Sequence, residues 1–230
     1  MKRTAALILA LTLVLSLSAC GTGVVTVTAT PQPENTAAPS AGAQDGPSDG
    51  SGSTLVVYFS VMETDGVDTV AGASRVAVDG EPLGNLEYVA GLIASETGGE
   101  LFRIETVQEY PTTHQPLLEF AHSEAQANAR PELASELANP GEYDTVFIGY
   151  PIWNADLPMP LYTFLEIYDF GGAVIVPFTV HGGSGLAGTP ATIQQLQPDA
   201  QVVTDALSIS RSSVTTAPEA VSAWLDRLGI

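Results

Sequence analysis

The chain has 230 residues and a formal net charge of −19, with 26 acidic residues against 7 lysines and arginines. Nucleic acid and anionic lipid surfaces are poor partners for so acidic a chain, because they carry negative charge themselves. The only lysine is Lys2 and the only cysteine is Cys20. Beyond residue 20, these counts exclude a P-loop lysine, a Schiff-base lysine, a cysteine nucleophile, a disulfide and a thiolate metal site.

Residues 1–19 predict an export signal. A basic head, MKR, precedes an apolar run that is short for a bilayer span and ends in small residues. With Cys20 the run ends in LSAC, which resembles the lipobox of bacterial lipoproteins. This resemblance implies cleavage before Cys20, lipidation of its sulfur and retention at the outer face of the cell membrane. An uncleaved anchor helix and an ordinary signal peptide are the alternatives.

Residues 20–53 differ in composition from the rest of the chain. They are rich in Thr, Ala, Pro, Gly and Ser and lack aromatic residues, which predicts a disordered tether behind the lipidated cysteine. We expect a single folded domain over residues 54–230, which is long enough to bury a sizeable core.

Strand-like and helix-like segments alternate through this domain. In chain order they are TLVVYFS, GNLEYVAGLIASETG, LFRIETV, HQPLLEFAHSEAQANAR, DTVFIGY, MPLYTFLEIYDF, AVIVPFTV, TPATIQQLQPDA, QVVTDALSIS and PEAVSAWLDRLG. The first, third and fourth strands are nearly continuous apolar runs, as expected where helices cover both faces of a parallel sheet. The predicted fold class is α/β, a doubly wound three-layer sandwich with a five-stranded parallel sheet. Ligands bind such sheets beyond the carboxyl ends of the strands, which points to the loops after strands one, three and four.

The loop YPIWNADLP follows the third predicted strand. Pro151 and Pro158 suit neither a strand interior nor a helix interior, so we expect a rigid loop that holds Trp153 outward. A flat aromatic side chain on a stiff loop favours a flat ligand.

Five blocks of the sequence together resemble the flavodoxin-like proteins of bacteria: YFS, GN, ARPEL, GYPIWNADLPMPLYTFLE and PFTVHGGSG. The resemblance spans residues 54–230 and implies a flavodoxin fold that holds FMN with the loops after strands one, three and four. Ser60 would donate its hydroxyl to the phosphate, and Gly84, Asn85 and Leu86 would present N–H groups at a helix N-terminus. The residues expected around the ring are Tyr150, Pro151, Ile152, Trp153, Asn154, Thr179, His181, Gly182, Gly183, Ser184 and Gly185.

The HGGSG block suits the edge of a flavin ring. Its glycines let backbone N–H groups approach the ring and adopt positive φ where needed. Trp153 would lie stacked on the isoalloxazine or edge-on to it. For His181 two interpretations remain: a side chain satisfied by local backbone, or a donor near the carbonyl edge of the flavin.

Residues 61–83 depart from the compact phosphate loop of short flavodoxins, and Leu86 stands where a phosphate-binding threonine is expected. We expect a surface insertion with a hairpin turn at Asp79–Gly80, and a lid is the alternative. Inside it, DTVAGAS distantly resembles the signal at which some exported proteins receive FMN covalently, with Ser74 as the acceptor. An intact mass without an FMN adduct would exclude that attachment.

Three other motifs point to different chemistry. GSGLAG matches the dinucleotide pattern G-x-G-x-x-G, but only one predicted strand and one helix follow it. HGGSG is also similar to an esterase oxyanion-hole motif, yet Leu186 occupies the last glycine position of a G-x-S-x-G elbow and no histidine follows His181. His114 and His122 fit a solvated helix face better than a metal site, and no metal is expected.

The predicted function is an FMN-binding electron-transfer protein or a flavin-dependent reductase, with an unidentified redox partner or a small acceptor such as a quinone. The alternative is a binding or scaffolding lipoprotein that has kept the fold and lost the flavin, which the altered first loop motivates. Core packing is the role expected for Tyr58, Phe59, Phe147, Phe164 and Trp224.

Overall fold

The computed structural model describes residues 52–65 and 75–230. The predicted signal peptide, Cys20 and the tether as far as residue 51 lie outside the described residues, and so does Ser74. Within the described ranges, no helix is both long enough and apolar enough to cross a membrane.

A parallel sheet with helices on both faces forms the domain, which confirms the predicted fold class. The elements are β1 (Thr54–Tyr58), β2 (Arg75–Val78), β3 (Glu81–Gly84), α1 (Asn85–Thr97), β4 (Glu100–Arg103), α2 (His114–Ala127), β5 (Thr145–Pro151), α3 (Met159–Ile167), β6 (Val174–His181), α4 (Thr189–Leu196), β7 (Gln201–Val202), β8 (Leu207–Ser210) and α5 (Ala217–Leu228). The strand order is β4-β1-β5-β6, and β7 and β8 both pair with the outer edge of β6. All of these pairings are parallel.

Alternating side chains of β1 supply two separate hydrophobic layers. Leu55 and Val57 pack with α2, α3 and α4, whereas Val56 and Tyr58 pack with α1 and α5. This alternation is what a sheet covered on both faces requires. The aromatic residues predicted to pack in the core are all buried there: Tyr58, Phe59, Phe147, Phe164 and Trp224.

The fifth predicted strand is divided into β7 and β8, and Pro177 of β6 explains the division. The carbonyl of Ile175 accepts a hydrogen bond from Val203 N–H at 2.8 Å, so residue 175 faces the fifth strand. Residue 177 faces the same side, because backbone groups alternate along a strand. As a proline it has no N–H to donate, and pairing stops until β8 resumes it at Phe178.

The insertion after β1 contains the predicted hairpin. β2 and β3 are antiparallel, and Arg75 pairs with Gly84 across them. Asp79 and Gly80 have φ of 52° and 88°, the left-handed values that a two-residue hairpin turn needs. The hairpin ends where α1 begins, so the insertion leads directly to the N-terminus of that helix.

Candidate functional site

Ser60 and Gly84 meet at the N-terminus of α1, although the insertion separates them in sequence. Gly84 is the N-cap of the helix, and no side chain caps it by a hydrogen bond. A Cβ on Gly84 would overlap the Ser60 Oγ, so only glycine lets this hydroxyl approach the helix so closely. Unpaired N–H groups and the helix dipole make such a terminus favourable for an anion.

Asn85, the first residue of α1, adds unpaired polar atoms to this cradle. It is 2% exposed, and neither its Oδ1 nor its Nδ2 has a hydrogen-bond partner among the described residues. Leaving a buried polar group unpaired costs about 1–3 kcal/mol, so such groups usually have a ligand or water as partner. The side chain of Leu86 points instead into the core layer around α1, which leaves only its backbone for a ligand.

Charges beside the cradle partly cancel one another. Glu87 places a carboxylate in the first turn of α1, where it opposes an anionic ligand. Arg103, at the end of β4, lies 3.8 Å from Glu87 and 3.9 Å from Glu105. Its guanidinium also donates to the Ser60 carbonyl at 3.5 Å, a long hydrogen bond. Arg103 therefore has two carboxylates within salt-bridge distance.

The prediction that Trp153 is held outward is wrong. Trp153 is 3% exposed, and its ring packs edge-on to Phe59 and tilted against Tyr110, with both centroid separations at 5.5 Å. A two-residue turn after Trp153 folds the loop back on itself, and Trp153 and Asp156 exchange backbone hydrogen bonds across it. The exposed residues of this loop are Asn154 and Ala155, because burying the large indole ring is more favourable than leaving it in water.

The turn after Trp153 is strained. Asn154 and Ala155 have φ of 51° and 58°, and a left-handed conformation is unfavourable for alanine. The side chain of Asn154 reaches α2, where it donates to the Ala121 carbonyl at 3.3 Å and lies 3.4 Å from His122 Nδ1. Strain of this kind is common in loops that bind ligands, and this loop is one of the three predicted to do so.

Tyr150, Pro151 and Ile152 are also buried, so they form the floor of the carboxyl edge instead of an open wall. The Tyr150 hydroxyl lies 2.9 Å from Thr189 Oγ1, and burial raises the pKa of this phenol well above its ordinary value. Thr179 donates its hydroxyl to the Tyr150 carbonyl at 2.6 Å. These bonds fix the end of β5 against β6 and α4.

The loop after β6 adopts the backbone expected of its glycines at two positions. Gly183 and Gly185 have φ of 135° and 60°, whereas Gly182 does not require a positive value. Gly183 N–H donates to His181 Nδ1 at 2.9 Å, and burial lowers the pKa of the imidazole. Nδ1 therefore accepts from the local backbone, as the first interpretation of His181 expects, and Nε2 is the ring nitrogen left to carry a proton, so a donor role toward a flavin stays a prediction. Ser184 is exposed in the same loop.

A cleft of about 430 Å³ beside Ser60 went unpredicted. Phe59 and Ile104 lie in its lining, together with Tyr110 from the segment before α2. The Tyr110 hydroxyl donates to Glu124 at 2.6 Å, and burial raises the pKa of both groups. No motif in the sequence marks these residues, because Phe59 and Ile104 meet through the pairing of β4 with β1 and Tyr110 joins them from the segment before α2.

The two histidines of α2 have separate partners. His114 Nδ1 lies 3.1 Å from Glu63, while His122 contacts Asn154 and Gln126. Among residues 52–65 and 75–230, no three His, Cys, Asp or Glu side chains form a group able to hold a metal ion.

A comparison with protein families identifies the fold. The family model for flavodoxin matches residues 83–228, which is more than half of the chain. This chain belongs to the flavodoxin family. No curated protein matches the flavodoxin-family chain in sequence.

Solved structures with the same fold include two from Bacteroides. A protein of Bacteroides eggerthii DSM 20697 that is classed as a flavoprotein is 26% identical, with a TM-score of 0.55 over 77% of this chain and 98% of its own. Its counterpart from Bacteroides uniformis ATCC 8492 is 24% identical, with a TM-score of 0.54 over 74% and 98%. A flavoprotein of Lactobacillus acidophilus NCFM in complex with FMN is 18% identical, with a TM-score of 0.49 over 72% and 97%.

The residues of this flavodoxin-family chain fit the phosphate end of FMN well. Ser60, Gly84 and the buried amide of Asn85 converge on one helix N-terminus that lacks a side-chain cap. Trp153 packs against Phe59 and Tyr110, so the groups of the predicted ring site that it leaves are the backbone and His181 of the loop after β6.

Proposed function

We propose that the chain is an FMN-binding flavodoxin-like protein that carries electrons or reduces a small acceptor, anchored at the outer face of the cell membrane by lipid on Cys20. Membership of the flavodoxin family supports the flavin. The observation that carries the proposal is the unpaired, buried amide of Asn85 beside a glycine whose missing side chain makes room for Ser60. An anion at this helix N-terminus would satisfy groups that otherwise cost stability.

Each part of the site has its own role. FMN would supply reversible electron transfer when bound. Ser60 and the first N–H groups of α1 would hold its phosphate, and Asn85 would bond the phosphate or the neighbouring ribityl chain. His181 would donate its Nε2–H toward the carbonyl edge of the ring, because its Nδ1 is already engaged by Gly183.

A matched pair of glycine substitutions in one helix region tests the phosphate site. Gly84→Ala should weaken FMN binding at least tenfold, because the new Cβ collides with Ser60 Oγ while its backbone, with φ of −64°, remains suitable for alanine. Gly91→Ala is the control: a Cβ there meets no atom within 4 Å. Fluorescence titration should show a lower FMN affinity for Gly84→Ala than for Gly91→Ala. Equal affinity in both variants would contradict the placement of the phosphate.

Kinetics distinguish a carrier from a reductase. The fully reduced protein would be mixed with NAD(P)⁺, quinones or a redox protein in a stopped-flow instrument. Fast oxidation by a small molecule, with saturation, would support a reductase, since saturation requires a binding site for that molecule. Oxidation by a protein partner with slow, unsaturable reaction of small acceptors would support a carrier.

The lipid anchor has a separate test. The wild-type chain expressed in a bacterium that processes lipoproteins should partition with membranes, and Cys20→Ser should release it, because the only sulfur available for lipidation is removed. A Cys20→Ser protein that stays with the membranes would contradict the anchor without affecting the flavin proposal.

The flavin-free scaffold is the second candidate. It is favoured by Trp153, whose ring packs against Phe59 and Tyr110 and offers no open face, and by Leu86 in place of a threonine. A protein that neither retains nor binds flavin would support this candidate.

A further inference from the structure

We propose that Arg75, on the inserted hairpin, is the counter-ion of the FMN phosphate and makes the site selective for phosphorylated flavin. The inference rests on the proposed function and assigns a role to the insertion, which has no place in the compact phosphate loop of short flavodoxins. The evidence for this role is the position of Arg75 in the hairpin, opposite Gly84.

Arg75 connects the hairpin beside Gly84 with the loop that follows β1. Its backbone pairs with Gly84, the N-cap of α1, across the antiparallel hairpin. Its guanidinium Nη1 donates to the Glu63 carbonyl at 3.0 Å, three residues beyond Ser60 on the loop that follows β1. Residues directly opposite in an antiparallel pair have Cα atoms about 4.5–5.5 Å apart, so the Arg75 backbone lies beside the N-cap of α1 while its guanidinium reaches the loop that carries Ser60.

Arg75 also differs from other arginines of the chain in its partners. Arg103, Arg130 and Arg227 each lie within 4 Å of a carboxylate. Among the described residues, the hydrogen bond of Arg75 is to a backbone carbonyl, and no carboxylate lies within salt-bridge distance of it. In a chain with 26 acidic residues, an arginine without a carboxylate partner beside an anion cradle keeps its charge for a ligand.

The charges of FMN and of the chain explain why a positive side chain is needed at this site. A phosphate monoester carries about −1.5 to −2 charges near pH 7, and the chain itself carries −19, so approach of FMN is opposed at long range. Glu87 adds a carboxylate in the first turn of α1, and Arg103 offsets that group. Arg75 then supplies the net positive charge that the helix dipole alone does not provide.

A comparison of FMN with riboflavin tests the inference, because the two ligands share the ring and differ in the phosphate. In the full-length, detergent-solubilised protein, Arg75→Gln should raise the Kd for FMN by about 10- to 100-fold and leave the Kd for riboflavin within about twofold. Arg75→Lys should recover most of the FMN affinity. Added salt should reduce the difference in affinity between FMN and riboflavin more in the wild type than in Arg75→Gln.

Arg227→Gln is the matched control, since it removes the same charge from an exposed arginine of α5 and should leave the FMN-to-riboflavin ratio unchanged. Thermal unfolding of each apoprotein checks that the variants fold. Two results would overturn the role of Arg75 without affecting the proposed function. One is a ratio of the Kd values for FMN and riboflavin that is the same in Arg75→Gln and wild type, and the other is an equal loss of affinity for both ligands. A wild-type protein that binds neither ligand would contradict the proposed function and this inference together.

Discussion

Asn85 combines a stability cost with an expected binding role, and the two can be measured separately. Asn85→Ala should leave the free energy of unfolding of the apoprotein unchanged or slightly raised, because it removes two buried polar atoms that have no partner among the described residues. The same substitution should weaken FMN binding about tenfold, the value of roughly one good hydrogen bond. Urea unfolding and FMN titration provide the two numbers. A large loss of apoprotein stability would indicate that Asn85 serves the fold instead.

Ala155 stores strain at the tip of the loop after β5. With φ of 58° it occupies a conformation that costs an L-residue roughly 1–2 kcal/mol and costs glycine almost nothing. Ala155→Gly should therefore raise the free energy of unfolding by about 0.5–1 kcal/mol, after the added freedom of the unfolded chain is subtracted. Ala223→Gly, on the exposed face of α5, is the control of opposite sign and should lower it by about 1 kcal/mol. Destabilisation by both substitutions would mean that the turn holds no strain.

At the scale of elements, an ion pair between Arg130 and Glu166 connects the segment after α2 with α3. Arg130 donates from Nε and Nη2 to the two oxygens of Glu166, both at 2.7 Å, and its guanidinium lies over the Tyr162 ring. The hydrogen bond from Arg130 holds the pKa of Glu166 below its ordinary value near 4.5. The pair is exposed, so solvent screens it and its contribution is modest.

The sign of its pH dependence follows from that lowered pKa. The folded state favours the ionised Glu166, so the stabilisation is present above the unfolded pKa and is lost as the pH falls through the folded pKa. Glu166→Gln should cost about 0.5–1 kcal/mol at pH 7 and progressively less below about pH 4.5. Urea unfolding at several pH values checks this, with Glu136→Gln, also exposed, as the neutral control. A cost that does not change with pH would exclude the ionic contribution.

The elements themselves were largely predictable from sequence. Continuous apolar runs identified β1, β5 and β6, and the Asp79–Gly80 pair identified the hairpin. The division of the fifth strand was missed, although its cause is visible in the sequence of the neighbouring strand. Pro177 lacks a donor, but the side that it faces depends on the register between β6 and β7, which no local pattern reveals.

Side-chain exposure in the loops was harder to predict than the loops themselves. Trp153 follows a strand and sits between prolines, which suggested an outward position, yet its ring fills a space that Phe59 and Tyr110 create. Phe59 and Tyr110 are both distant from Trp153 in sequence, so this space forms only when the domain folds. Arg75 was missed for the same reason, because its place beside Gly84 arises from the hairpin register.

At the scale of the whole molecule, the proposed function combines a flavodoxin-family domain with a lipid anchor on Cys20. The sheet places three loops at one edge, and a chain with a net charge of −19 holds a helix N-terminus suited to an anion. A positively charged redox partner would be attracted to so acidic a chain, and its association rate would fall with added salt. Both the proposed function and the role of Arg75 require that the domain binds FMN.

Two measurements on the purified wild-type chain test FMN binding most directly. The first is an absorption spectrum of the protein as isolated, and the second is a titration with FMN monitored by tryptophan fluorescence. We predict flavin bands that stay with the protein, or saturable quenching with a Kd on the order of micromolar, equivalent to roughly 8 kcal/mol of binding free energy. A spectrum without flavin, together with no saturable quenching at FMN concentrations well above that range, would contradict the account and leave a flavin-free binding or scaffolding protein.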